Sequence, residues 1–353
     1  MGRRKKEDSG ITQDLFNGID VLNKDAKKAI SNLDANSARM LVDNYYQIQD
    51  IRKRLGNQIT AVSTGSDVVL DQFNITNWLY DNFYGLEKEI TKALNIFTDS
   101  QPVGAWMKSI KGIGPVLSAG CLAYFDITKA SKPTCFWQYG GLNKHNRPWH
   151  SNTNAAEFIK QAKAFANGDE SDYIAKLSEL SGVPVGQLYG KNDTEIRKEL
   201  VKPPHNLKLR TILWLMGQSF IKVCNRGSLY GRLIVERKVY ENEMNEKGMY
   251  KAQADEILSK HNIGKTTDAY KAYIVGKLPK AHIQQRCENY AVRIFLDHLW
   301  KAMYYATYKK EADFKSYCLD YPTRQLDGSM VKHVEYIEPE IDYVEFIDNF
   351  KKK

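Results

Sequence analysis

The stretch Ser109-Ile110-Lys111-Gly112-Ile113-Gly114-Pro115-Val116-Leu117-Ser118-Ala119 decides how the chain is read. It predicts a helix, a very short Gly-x-Gly turn and a second helix. Trp106, Met107 and Ile110 supply the apolar face of the first helix. Val116, Leu117, Ala119, Leu122 and Ala123 follow at helical spacing in the second. Gly112 and Gly114 allow positive φ without steric cost. Pro115 suits the first position of the new helix, where its missing N–H is not needed. A helix-hairpin-helix turn of this kind points backbone N–H groups outward from a helix N-terminus, and such a terminus accepts an anion. The plainer alternative is a structural hairpin with no ligand.

Around this stretch lies a chain of 353 residues with a net charge of +9 and 42% apolar residues. That length allows two or three domains and a sizeable core. The positive balance points to a polyanionic partner. Nucleic acid fits better than a membrane, because no apolar run approaches the length of a spanning helix. Gly2-Arg3-Arg4-Lys5-Lys6 is basic but no apolar stretch follows it, so no secretory signal is expected. Cys121, Cys135, Cys224, Cys287 and Cys318 are scattered and form no Cys-x-x-Cys pair. Neither a disulfide framework nor a zinc site is indicated, and a cytoplasmic, nucleoid-associated setting is expected.

The fold class read from the periodicity is mainly α: a helical hairpin or coiled coil, then a helix-hairpin-helix domain and further helices. Residues 1–36 are expected to be a basic, partly disordered N-terminus. Gly18-Ile19-Asp20-Val21 has the look of a nuclease strand carrying a metal-binding Asp, but the polar helical pattern from Lys24 to Ile30 follows it, so a metal site there is rejected. Residues 37–100 carry Leu41, Tyr45, Ile48, Leu55, Ile59 and Val62, with Arg52 as an interruption. After a break at Thr64-Gly65-Ser66-Asp67, with Ser66 or Asp67 as the next N-cap, come Val69, Phe73, Tyr80, Phe83, Ile90, Leu94 and Phe97. This is a coiled-coil seam, closed within one chain or, as the alternative, between two copies through residues 37–98.

Residues 101–240 read as the DNA-binding domain, with an insertion at 143–205. The insertion opens on a polar loop holding Lys144, His145, Arg147, Trp149, His150 and Ser151, and short helices follow. His145 and His150 lack metal-ligand spacing. Asn206 is expected to cap a helix whose apolar face is Leu209, Ile212, Leu213, Met216, Phe220 and Val223. Lys202 to Lys238 carries eight Lys or Arg against one acid, Glu236, which is either an electrostatic footprint or a solvated basic face. Residues 241–311 read as a helical basic region, with His282, Arg286 and Arg293 recurring on one face of a long helix. Residues 312–353 form an acidic tail with Glu335, Glu338, Glu340, Asp342, Glu345 and Asp348. It is expected to make a short strand pair or to lie on a basic surface when DNA is absent.

Several of these pieces, in this order, resemble the C-terminal half of bacterial insertion-sequence transposases guided by a bridging RNA. The resemblance rests on the helices at 37–98, on Gly112-Ile113-Gly114-Pro115 and on Phe136 to Leu142, an aromatic helix ending in Gly-Leu. Leu207-Lys208-Leu209-Arg210 and the late basic helix His282 to Trp300 complete it. It covers roughly residues 37–310, with Ile110 to Leu142 its most specific part. Members of that family begin with a nuclease-like domain that supplies metal-binding carboxylates. No such domain is found here, so no cofactor is identified, and Mg2+ would enter only with a partner's nuclease domain. The family also carries a DNA-attacking serine between the Gly-Leu end and the Leu-Arg helix. That interval is about twice as long here. Ser151 is the candidate nucleophile, with Ser181 as alternative, although neither has a recognisable base beside it in sequence.

Two functions follow. The first is a non-catalytic DNA-binding protein acting in transposition or recombination, with a DNA-contacting set of Lys108, Lys111, Gly112, Ile113, Gly114, Lys208, Arg210, His282, Arg286 and Arg293. The second is an active transposase or recombinase using serine. Structured RNA is a further ligand that the same basic surface would suit.

Overall fold

The computed structural model describes residues 22–64, 70–143, 148–312, 323–324, 330–331 and 337–351. The basic N-terminal run, Gly18 to Val21, the Gly65–Asp67 turn, Lys144, His145, Arg147, Cys318 and Glu335 lie outside them. The protein is mainly α, with 16 α-helices among the described residues. The tail adds a two-residue antiparallel ladder, β1 (Thr323–Arg324) with β2 (Met330–Val331), pairing Thr323 with Val331 and Arg324 with Met330. The chain divides into two compact units, 1–100 and 101–353.

The first unit holds α1 (Lys24–Ile30), α2 (Ala35–Thr64) and α3 (Leu70–Asp99). Asn23 starts α1 by accepting the Ala26 N–H at 2.8 Å, and Asp34 accepts the Ser37 N–H at 2.7 Å at the start of α2. The helices α2 and α3 pack on each other in opposite directions. Tyr45, Gln49 and Arg52 face Glu87, and Gly56 faces Tyr80. The seam of α2 is therefore heptad-like through Ala38, Val42, Tyr45, Gln49, Arg52, Gly56 and Ile59. Arg52 does not interrupt it; its Nε donates to the Glu87 carboxylate. Burial alone would raise the Glu87 pKa, but hydrogen bonds from Arg52 and Gln49 hold it below the usual carboxylate range. The same burial, with Glu87 opposite, pushes the Tyr45 hydroxyl up to about 12. Val62, expected in the seam, is 38% exposed.

The second unit is organised around one long helix. It contains α4 (Pro102–Ser109), α5 (Pro115–Tyr124), α6 (Pro133–Tyr139), α7 (Asn152–Ala166), α8 (Glu170–Ser181), α9 (Val185–Leu188) and α10 (Asp193–Leu200). Then come α11 (Leu207–Lys222), α12 (Leu229–Glu246), α13 (Lys251–Lys260), α14 (Asp268–Ile274), α15 (Lys280–Tyr308) and a last helix α16 (Tyr343–Asp348). Proline opens α4, α5 and α6, where its fixed φ is already helical. The helix α15 packs against α4, α6, α11, α12 and α16. Its Phe295 stacks on Trp106 of α4 and meets Phe220 of α11 and Tyr230 of α12 edge-on. Offset and edge-on aromatic pairs of this kind add about 1 kcal/mol each beyond the area they bury. The segment 148–201 has a core of its own: Ala155, Ala162, Ile174, Leu177, Val183, Leu188, Ile196 and Leu200.

The segment 337–351 packs against α4 and α15. Trp106 Nε1 donates to the Ile341 carbonyl at 2.8 Å, and Tyr305 donates to Asp348 at 2.7 Å. His298, fully buried in α15, lies 2.7 Å from the Ile337 carbonyl through Nε2 and 2.8 Å from the Tyr230 hydroxyl through Nδ1. A carbonyl only accepts, so Nε2 carries the proton and Nδ1 accepts from Tyr230. That is the neutral imidazole, and burial pushes its pKa down to about 3 from an ordinary 6.5. The unfolded chain therefore takes up a proton below pH 6.5 that the folded chain refuses until about 3. Stability is expected to fall as pH drops through this window, by about 2 kcal/mol between pH 7.5 and 5. Urea titrations of the parent and of His298→Gln at both pH values check this. The variant should lose about 2 kcal/mol less than the parent over the same step. An equal loss would contradict a neutral, buried His298.

Candidate nucleic-acid interface

The helix α4 closes at Ile110, whose N–H bonds the Met107 carbonyl, and Ile113 N–H bonds back to Ile110 at 3.1 Å. Between them Gly112 takes φ +97°. A side chain there would be strained, and its Cβ would stand 3.1 Å from Val223 and 3.3 Å from Phe220. Glycine thus lets the turn lie directly on the C-terminal end of α11, and Ser219 Oγ donates to the Gly112 carbonyl at 2.5 Å. Ile113 is buried beneath the turn.

Gly114 does not use the positive φ open to it. It is the N-cap of α5 with φ −95° and ψ 179°, extended backbone that any residue adopts. The following proline favours that geometry for its neighbour. Gly114 is exposed, and a Cβ on it would meet nothing within 4 Å. Neither its φ nor its packing requires glycine.

A second turn lies beside the first. The helix α11 ends at Lys222, a 3-10 turn spans Cys224–Arg226, Gly227 takes φ +73° and Ser228 caps α12 by accepting the Gly231 N–H at 3.2 Å. Lys111 bridges the two turns: its Nζ donates to the Gly227 carbonyl at 3.2 Å, and its own carbonyl lies 3.5 Å from Ser228 Oγ. One carboxylate, Glu340, accepts from both turns, at 3.2 Å from the Lys111 N–H and 2.9 Å from the Leu229 N–H. Leu229 opens the 18-residue helix α12, whose positive end favours the negative charge. Lys222, Arg226 and Arg232, which flank the second turn in sequence, were not singled out from the sequence. Gly227 followed by the capping Ser228 was the local signal that marks this turn.

The other expected cations occupy different surroundings. Lys108 is half-buried on α4, and Lys208 is exposed in the first turn of α11. Arg210 is half-buried, donates to Asn289 of α15 at 3.2 Å, and has its pKa lowered by burial. The face of α15 expected to follow a phosphate backbone is turned to intramolecular partners. Arg286 Nε donates to Glu241 at 2.9 Å and its guanidinium lies 4.5 Å over the Tyr250 ring. Glu241 is 2% exposed and also pairs with Arg237. Burial would raise its pKa, but hydrogen bonds from Tyr250 and the Arg286 and Arg237 charges lower it. His282 sits against Tyr273, and burial followed by the nearby Arg286 charge lowers its pKa. Arg293 donates through Nε to the Leu142 carbonyl at 3.1 Å, and a second bond runs from Nη2 to the same oxygen. Arg210 and the His282, Arg286 and Arg293 face thus have partners within the chain: Asn289, Tyr273, Glu241 and the Leu142 carbonyl.

The candidate serines also have structural roles. Ser151 is the N-cap of α7, accepting the Asn154 N–H at 3.1 Å. The neighbouring His150 ring lies 2.7 Å from the Ser181 carbonyl rather than on Ser151. Ser181 is buried, donates to the Leu177 carbonyl at 2.6 Å and accepts the Val183 N–H at 3.2 Å. Among the described residues no cluster of three or more His, Cys, Asp or Glu is placed to hold a metal ion. No helix among them is long and apolar enough to cross a membrane.

Comparison with protein-family models gave no match, and neither did comparison with curated proteins or with solved structures.

The two glycines of the hairpin should respond oppositely to substitution. Gly112→Ala adds backbone strain and crowds Val223 and Phe220, and is expected to cost about 2–4 kcal/mol. Gly114→Ala should stay within about 0.5 kcal/mol of the parent. Chemical denaturation of both variants checks this, and equal losses would mean that the turn does not pack as described.

Proposed function

We infer that this chain binds nucleic acid, with duplex DNA as its first ligand, through the α4–α5 hairpin and the second turn beside it. The reading makes it a relative of bridge-RNA-guided insertion-sequence transposases that acts in DNA transposition or recombination. The observation that carries it is Gly114. The residue is bare at a helix N-terminus, and neither its φ nor the space around it requires glycine there. A missing side chain at such a point serves close approach of an outside group to the backbone, and the positive end of α5 favours an anion. The overall charge of +9 supplies long-range attraction, and Lys108 of α4 and Lys111 of the turn lie on the hairpin itself. Contacts of this kind hold phosphate and carry no base information, so binding by shape rather than sequence is expected.

The serine-nucleophile reading rests on the family resemblance alone. Ser151 serves as a helix cap, and its histidine neighbour is engaged elsewhere. An unactivated hydroxyl is a poor nucleophile.

Fluorescence anisotropy of a labelled mixed-sequence duplex, titrated at several salt concentrations, tests the DNA reading. Binding should weaken steeply with salt, with a log–log slope near −0.9 for each phosphate neutralised. Gly114→Glu should lower affinity at least about tenfold, which is about 1.4 kcal/mol, with the melting midpoint unchanged. Ser151→Ala should leave affinity unchanged. Unaltered affinity in Gly114→Glu would sink the hairpin interface, and loss of a covalent protein–DNA product in Ser151→Ala would establish the catalytic reading instead.

A further inference from the structure

The C-terminal segment places a carboxylate where the inferred interface calls for a phosphate. Glu340 offers one oxygen to the Lys111 N–H of the first turn and the other to the Leu229 N–H of the second, at 3.2 and 2.9 Å. Two oxygens on one central atom, each accepting from a backbone amide, is the fork that a phosphodiester also presents. The notch between the turns is thus shaped and polarised for an oxyanion, and the chain's own acid is seated in it.

The segment that carries Glu340 is fastened on both sides of it. His298 holds the Ile337 carbonyl, Trp106 holds the Ile341 carbonyl, and Ile347 is buried further on. Tyr343 meets the Trp106 ring edge-on. The backbone therefore stays in place if the side chain leaves. Glu340 itself is only half-buried, and rotating its carboxylate into water breaks two hydrogen bonds without unpacking the segment.

We propose that the notch between Lys111 and Leu229 is a phosphate subsite of the DNA interface and that Glu340 is its built-in competitor. Binding exchanges the carboxylate for a backbone phosphate: Glu340 swings into solvent, and the two N–H groups transfer their hydrogen bonds to phosphate oxygens. While seated, the carboxylate also repels any phosphate approaching the rim. A single phosphate gains too little from the exchange to displace it, whereas a duplex anchored at Gly114 and the flanking lysines brings the phosphate at high local concentration. The device thereby favours polymer over free phosphate. This proposal rests on the nucleic-acid reading.

The experiment compares the full-length parent with Glu340→Ala and Glu340→Gln, using a labelled mixed-sequence duplex over a range of salt. Circular dichroism and thermal melting accompany each variant. Glu340→Ala should bind about 5–10-fold more tightly, with the salt slope steeper by about 0.9, one added phosphate contact. Glu340→Gln, which loses the charge but keeps one acceptor, should fall between the two; it also decides the matter if the alanine variant melts early. Binding by the parent with equal or weaker binding by both variants would overturn the competitor role and leave the DNA reading standing. Failure of all three proteins to bind at the lowest salt would overturn both. Tightening for a folded RNA hairpin and not for the duplex would overturn the assignment to DNA.

Discussion

The α4–α5 turn can lie on α11 only because Gly112 has no side chain. Its φ of +97° is closed to L-residues at any reasonable cost, and the space a Cβ would need is filled by Val223 and Phe220. From that contact much of the second unit follows. Phe220, pressed on one side by the turn, stacks on Tyr230 with ring centroids 4.8 Å apart, and Tyr230 meets Phe295. Phe295 in turn carries Trp106, whose indole N–H fixes the C-terminal segment. The turn, the aromatic core and the docked tail therefore form one continuous packing chain from surface to surface.

Electrostatics divides the cations into two populations. Arg237 and Arg286 neutralise the buried Glu241, and Arg293 satisfies a carbonyl. Their charge is spent on folding, where a buried acid would otherwise be intolerable. Lys111, Lys222, Arg226 and Arg232 stand at the surface on or near the two turns. The net charge of +9 therefore does not by itself say how much positive charge faces solvent.

Local signals in the sequence were the ones that could be read. Asn206 caps its helix as a short polar residue before an apolar face should, and Pro115 opens its own. The Gly-x-Gly hairpin stands where its pattern put it. What escaped depends on partners far along the chain. Arg52 read as a break in an apolar seam because the acid that pairs with it, Glu87, lies on the other helix. Arg286 and Arg293 fall on a cationic stripe in a helical projection, yet Glu241 and the Leu142 carbonyl, 45 and 151 residues away, draw them inward. Glu340 was legible only as one acid among many, since nothing local marks the amide pair it reaches. Likewise, the extended φ of Gly114 could not be told from the positive φ of Gly112 by residue type alone.

The segment between α6 and α11 begins and ends at almost the same place. The Asn206 N–H bonds the Tyr139 carbonyl at 2.9 Å, and the two side chains bond each other at 3.0 Å. Further in, His150 N–H reaches the Leu200 carbonyl at 3.2 Å and Trp149 Nε1 the Val201 carbonyl at 3.1 Å. Among the described residues these bonds pinch the two ends of the segment into a neck, and the residues beyond it carry a core of their own. Closing a long loop whose ends already touch adds little entropy per added residue, since the cost grows only with the logarithm of length. Such a neck is where a gene can gain or shed a whole module without disturbing the body that carries it.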